Sequence, residues 1–221
     1  AVNPDNTWAR FVAAVVDRYR PGGALGRARG WPASTGVRAW EIGNEPNLAF
    51  FWHGTPAECA RFLEVAYLVA KWRDPQSTVV HAGIANDANA ESWFGAFLDA
   101  LKARAMGSPL PARYGFYFDK TAWHWYTVPS NLTVGAPDRV RAMLAERGIP
   151  PKGLWVTEFG APVWSEYPGP CWDPASPLRV SVAEQSGFVW QAAAEGMAGG
   201  AELMVLFQLF DDCGNGRESY D

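Results

Sequence analysis

Two glutamates stand in unusual surroundings. Glu45 lies in Trp40-Glu41-Ile42-Gly43-Asn44-Glu45-Pro46-Asn47, and Glu158 in Trp155-Val156-Thr157-Glu158-Phe159-Gly160. Each follows a short apolar run that reads as a strand, at its C-terminal end. In parallel α/β folds active sites gather at that end, and a carboxylate placed there is seldom buried without a reason. Two carboxyls with divided roles are what cleavage of a glycosidic bond needs. One stays protonated and gives its proton to the leaving oxygen, while the other is ionised and attacks the anomeric carbon. Where configuration is retained the two stand roughly 5–5.5 Å apart, and the proximity of like charges helps to push their pKa values apart. The plainer alternative is a solvated loop residue or an ion-pair partner, which the motif context disfavours. Glu41 is the rival carboxylate. It sits deeper in its strand and is expected to pair with a buried Arg.

These residues must be positioned by an alternation of helices and short apolar strands. Helices are expected over 5–20, 55–73, 92–104, 137–147 and 181–197, and strands over 37–42, 78–82, 121–126, 154–157 and 202–207. Trp8, Phe11, Val12, Val15 and Tyr19 form one face of the first helix. Thr55 with Glu58, and Ser181 with Glu184, read as capping boxes, with Pro56 at a first helical position. Gly148 and the Pro150–Pro151 pair stop the fourth helix. One strand per helix, in regular succession, implies βα units and a parallel sheet. A (β/α)8 TIM barrel and a doubly wound sheet both fit that rhythm. No GxGxxG or Walker loop follows a strand, which lowers the dinucleotide and P-loop readings.

The ordered set Trp40–Asn47, then His124-Trp125-Tyr126, then Trp155–Gly160 resembles the glycoside hydrolase superfamily whose catalytic glutamates lie on strands 4 and 7 of a (β/α)8 barrel. Within it the chain is most similar to the β-xylosidase/α-L-iduronidase family, and next to the large cellulase-like family. The resemblance runs from the first helix to the last strand. It implies a retaining hydrolase of O-glycosidic, β-linked substrates working by double displacement, with Glu45 as acid/base and Glu158 as nucleophile. It further implies that Asn44 binds the hydroxyl beside the anomeric carbon, that Tyr126 holds the nucleophile, and that His124 lines the subsite and orients the acid/base or the substrate. His124 and Tyr126 could instead be plain core residues.

The pattern departs from the superfamily in two places. The last strand usually ends in a Trp under the reacting sugar, whereas this chain reads Leu206-Phe207-Gln208, so Phe207 or Gln208 takes that place. The Glu45 motif also belongs on strand 4, and only five strands are found. The chain is therefore expected to be a single partial barrel domain over residues 1–221, comprising strands 4 to 8 and their helices. A missing N-terminal barrel segment, with its strand-2 Arg, would be its partner. An open barrel exposes sheet edges, so the isolated segment is expected to be poorly stable and inactive. A soluble, monomeric, cooperatively melting 221-residue product would count against that.

Composition narrows the partners. Hydrophobic residues make up 48% of the chain and the net charge is −4, with no long basic run, so a packed protein is expected and a nucleic-acid or membrane partner is not; the resemblance implies an oligosaccharide or polysaccharide substrate. The chain holds 12 Trp, each a core filler or a stacking surface for a pyranose face. Trp164, Tyr167 and Trp172 lie in the long loop after Glu158, where they either pin the loop or form a sugar platform. The three cysteines, Cys59, Cys171 and Cys213, show no zinc spacing. Neither metal nor organic cofactor is required, because two carboxyls suffice. Cys171 and Cys213 would share the barrel mouth, which suggests a disulfide and leans towards a secreted or periplasmic location. A non-catalytic glycan-binding barrel, or an inactive fragment, is the alternative reading.

Overall fold

Three helices in the computed structural model begin where a side chain satisfies a backbone amide that the helix terminus leaves open. The structure describes residues 2–106, 111–127, 135–161, 163 and 180–208. Asn6 accepts from the Ala9 amide and opens α1 (Thr7–Tyr19). Both capping boxes form, Thr55 with Glu58 opening α3 (Pro56–Arg73) and Ser181 with Glu184 opening α6 (Val182–Ala198). The remaining helices are α2 (Ala24–Ala28), α4 (Ala90–Met106) and α5 (Gly135–Glu146). The strands are β1 (Ala39–Ile42), β2 (Thr78–His81), β3 (Lys120–Tyr126), β4 (Gly153–Gly160) and β5 (Ala201–Leu206). Helix α2 and a 3-10 segment at Pro111–Tyr117 were not expected from the sequence; both are too short to show a hydrophobic period.

The five strands pair in parallel in the order β1-β2-β3-β4-β5. That order decides between the two architectures. A doubly wound sheet reverses direction at a switch point, whereas unbroken right-handed βα crossovers place every helix on one face of the sheet. The sheet is thus an arc of a (β/α)8 barrel, with helices outside and a concave inner face. Outward-facing Trp123, Leu154 and Val156 are buried beneath helices, while inward-facing Glu41, Trp155 and Glu202 keep contact with solvent.

The core lies between sheet and helices. Val12 and Val16 of α1, Leu63 and Val69 of α3, and Phe94, Phe97 and Leu101 of α4 belong to one cluster. Val156 and Phe159 of β4 pack with Phe188 and Ala192 of α6 in a second. The α1 stripe is rotated from expectation, because Ala9, Val12 and Val16 face inward and Phe11 is 59% exposed. Trp72 is likewise exposed although its helical period pointed inward. Among the described residues no helix is long and apolar enough to cross a membrane.

His81 ends β2 with no solvent contact, ringed by Phe94, Phe97 and Phe118. Its Nδ1 lies 2.7 Å from the Ala82 carbonyl oxygen, and its Nε2 accepts from the Ala122 amide at 3.3 Å. Those two contacts specify a neutral ring protonated on Nδ1. Burial pushes its pKa down to about 4. The unfolded chain binds this proton below pH about 6.5, and the folded chain refuses it until about 4. The folded state is therefore fully favoured by this group above pH about 6.5 and loses that advantage as pH falls towards 4, by about 3 kcal/mol in all. Urea unfolding at a series of pH values should show this slope, and His81→Gln should flatten it. An equal slope in the variant would assign the loss to other groups.

Candidate active site

Strand β4 carries one extra residue where it matters. Against β3 the register runs from Lys120 opposite Gly153 to Trp123 opposite Val156, and the next pair is His124 opposite Glu158. Against β5, Val156 meets Met204 and Phe159 meets Leu206, three steps on one strand against two on the other. Both neighbours therefore place a β-bulge at Thr157–Glu158. Simple alternation would send Thr157 inward and Glu158 outward into the helix layer. The bulge brings Glu158 to the inner face beside Thr157. Thr157 donates its hydroxyl to Glu41 Oε1 at 3.0 Å, and Glu158 Oε2 accepts from the Tyr126 hydroxyl at 2.7 Å.

Glu45 reaches the same face by a tight turn beyond β1. Gly43 takes a φ of 98°, and Glu45 itself has a φ of 38°. The Glu45 amide donates to the Gly83 carbonyl at 3.0 Å, which pins the turn to the end of β2. Asn47 braces it from the other side. Its side-chain oxygen accepts from the Ala85 amide at 3.0 Å, and its nitrogen donates to the Ala85 carbonyl at 3.0 Å. The Glu45 side chain is only 12% exposed.

His124 joins the two glutamates. Its Nδ1 lies 2.8 Å from Glu45 Oε1 and 3.5 Å from Glu158 Oε2, and the side chain is 1% exposed. One oxygen of each carboxylate and one ring nitrogen of His124 all fall within 4.8 Å of one another. The set can pass protons and present a nucleophile, and its donors also suit a divalent cation.

Glu41 completes the floor of this cluster. It was expected to pair with a buried Arg, but no Arg or Lys pairs with it among the described residues. Its Oε1 instead accepts from the Gly83 amide at 2.8 Å and from Thr157, and lies 4.0 Å from His124 Nε2. Crowding by protein atoms raises the Glu41 pKa above its ordinary value, and the hydrogen bonds from Gly83 and Thr157 pull against that rise.

Gly83 was not singled out from the sequence, yet it touches three of these side chains or their backbones. Its amide holds Glu41 and its carbonyl holds Glu45. A Cβ built on it would lie 2.0 Å from His124 Nε2, so the imidazole fits only because the side chain is absent. A lone Gly after a strand carries no visible signal of that closeness.

Glu45, Glu158, His124 and Tyr126 are thus brought together. Asn44 stands exposed beside them at the end of β1. Phe207 and Gln208 follow β5, and the Phe207 amide donates to the Phe159 carbonyl at 3.0 Å. Phe207 is 37% exposed and Gln208 is half-buried. Trp164, Tyr167, Trp172 and the Cys171–Cys213 pair lie outside the described residues. Cys59 is a free thiol within the core, its pKa pushed up to about 12 by burial.

A family model described as glycosyl hydrolase catalytic core matches residues 35–172. Among solved structures the chain is similar to a glucosidase from Croceicoccus marinus (TM-score 0.64, 18% identity, 91% of this chain). It is also similar to a GH39 β-xylosidase from Caulobacter crescentus (TM-score 0.59, 22% identity, 91% of this chain). A third likeness is to a GH128 endo-β-1,3-glucanase from Amycolatopsis mediterranei in complex with laminaritriose (TM-score 0.50, 19% identity, 84% of this chain). The chain spans 38% of the length of each of the first two and 66% of the third. No curated protein sequence matches it. At these identities the structural likenesses speak to the fold, and they agree with the barrel arc read from the strand order.

Replacing Gly83 by Ala should drive the His124 ring off its present position. A structure of the variant should find Nδ1 more than about 3.5 Å from Glu45, with stability lowered by about 1–3 kcal/mol from overpacking. An unmoved ring and an unchanged urea midpoint would show that the contact is soft.

Proposed function

Because the chain belongs to the glycosyl hydrolase catalytic core family, we propose that it forms the catalytic part of a retaining glycoside hydrolase, with Glu45 as acid/base and Glu158 as nucleophile. The observation that carries the reading is the separation of the two carboxylates, an oxygen of each lying within 4.8 Å of the other. Inverting enzymes hold their carboxyls roughly 6.5–9.5 Å apart to admit a water, and retaining ones roughly 5–5.5 Å.

In the first step Glu158 attacks the anomeric carbon, the bond from that carbon to the leaving oxygen breaks, and Glu45 gives its proton to that oxygen. A glycosyl ester on Glu158 results. In the second step Glu45, now ionised, takes a proton from water as the water oxygen attacks the same carbon and the ester bond breaks. Two inversions leave the configuration as it began. Tyr126 donates to Oε2 of Glu158, which fixes the carboxylate plane and leaves Oε1 to attack. His124 Nδ1 lies within reach of both carboxylates, so it can support whichever is ionised at each stage. Asn44 binds the hydroxyl beside the reacting carbon. Phe207 or Gln208 lies under the sugar. The substrate class is a β-linked oligosaccharide or polysaccharide.

Azide rescue in the full-length protein tests the roles. With activated aryl β-glycosides, Glu158→Ala should lose about 10⁴-fold or more in kcat, and azide should restore turnover as an α-glycosyl azide. Glu45→Ala should yield a β-glycosyl azide. A parent protein that binds glycans but cleaves none, with neither substitution mattering, would assign the chain to glycan binding instead.

A further inference from the structure

The catalytic pair has a third acidic neighbour that the double displacement above does not use. Glu41 faces the concave side of β1, two residues before Gly43 turns the chain towards Glu45. Every element around it contributes to its setting. The Gly83 amide beyond β2, His124 of β3, and Thr157 and Glu158 of β4 face it. Among these groups the one that can carry positive charge is His124, whose Nε2 faces Glu41 at 4.0 Å while its Nδ1 faces the other two carboxylates. The imidazole is therefore bracketed, with Glu41 on one side and Glu45 and Glu158 on the other.

We propose that Glu41 is a positioning residue that acts through His124, its carboxylate charge, where ionised, holding protons on the Glu45–His124–Glu158 cluster. This rests on the reading of Glu45 and Glu158 as acid/base and nucleophile. The placement of Glu41 is built rather than incidental. Thr157 donates to it from the inner face of β4, the bulge brings Glu158 to that same face, and the Gly83 amide that holds Glu41 belongs to the residue whose missing Cβ makes room for His124. A nearby negative charge strengthens proton binding at the groups close to it, so removing it moves both limbs of the activity profile in the same direction, towards acid. The raised pKa of Glu41 bounds the effect from below, because the carboxyl exerts its charge only above its own titration.

The test is the pH dependence of kcat/KM for the full-length protein, Glu41→Gln and Glu41→Asp on an aryl β-glycoside. Glu41→Gln keeps the shape and an acceptor for Gly83 and Thr157 but removes the charge. Both limbs of its bell-shaped profile should shift to lower pH by about 1 unit or more, the size expected for one charge lost about 4 Å from a buried imidazole. Glu41→Asp restores the charge and should return the profile most of the way, and cooperative melting of both variants guards against misfolding. A merely structural role would lower the height of the bell and leave its limbs in place, and that result overturns the inference. A parent protein with no turnover overturns it together with the reading it rests on; a parent bell that Glu41→Gln fails to move overturns it alone.

Discussion

Between Val156 and Phe159 strand β4 is one residue longer than either neighbour requires, and the inner face of the barrel arc is organised around that surplus. A strand shows successive side chains to opposite faces. With perfect register, Thr157 would face inward and Glu158 would be pressed against Phe188 and the rest of α6, where an unpaired carboxylate has no solvation. The bulge puts two consecutive polar side chains on one face, and each finds a different hydrogen-bond partner. Thr157 goes to Glu41 on β1 and Glu158 to Tyr126 on β3. One irregularity thereby links three strands through side chains, across a sheet whose backbone links only adjacent ones.

Gly83 is the complementary constraint on the opposite side of His124. The bulge brings carboxylates in, and the absent side chain leaves a slot for the ring that lies among them. Glu45 and Glu41 come from one strand, His124 and Tyr126 from another, and Glu158 from a third. The distances among them are therefore set by strand register and backbone closeness rather than by long flexible side chains. That is an economical way to hold like charges near one another.

Much of this was legible in the sequence because it depends on local pattern. Capping boxes at Thr55 and Ser181, apolar runs of strand length and the regular spacing of βα units all act through neighbouring residues, and they located every strand among the described residues and the long helices. Glu45, Glu158, His124 and Tyr126 stood out through their motifs. What could not be read was long-range. The sequential strand order excluded the doubly wound alternative only once pairing was known. The expected stripe of α1 included Phe11, which the fold leaves exposed, because helical period fixes the spacing of a face and not which side meets the sheet. Gly83 and Asn47 act on residues far from them in the chain, and the partner of Glu41 was misjudged because an acid deep in a strand is ordinarily balanced by a base. Here two neutral donors and an imidazole take that place.

The backbone at Glu45 carries a further implication. A φ of 38° is a left-handed conformation that glycine adopts freely and other residues adopt at a cost of order 1–3 kcal/mol. Selection for a durable fold alone would be expected to replace this residue with Gly or Asn. Glutamate there is a standing handicap, tolerated because the Gly83 carbonyl and the Asn47 brace hold the turn in place regardless. A lineage freed from the need for this side chain would drift towards a sturdier protein at this very position. The identity of residue 45 in any descendant would then record whether its ancestors were still selected for what the carboxylate does.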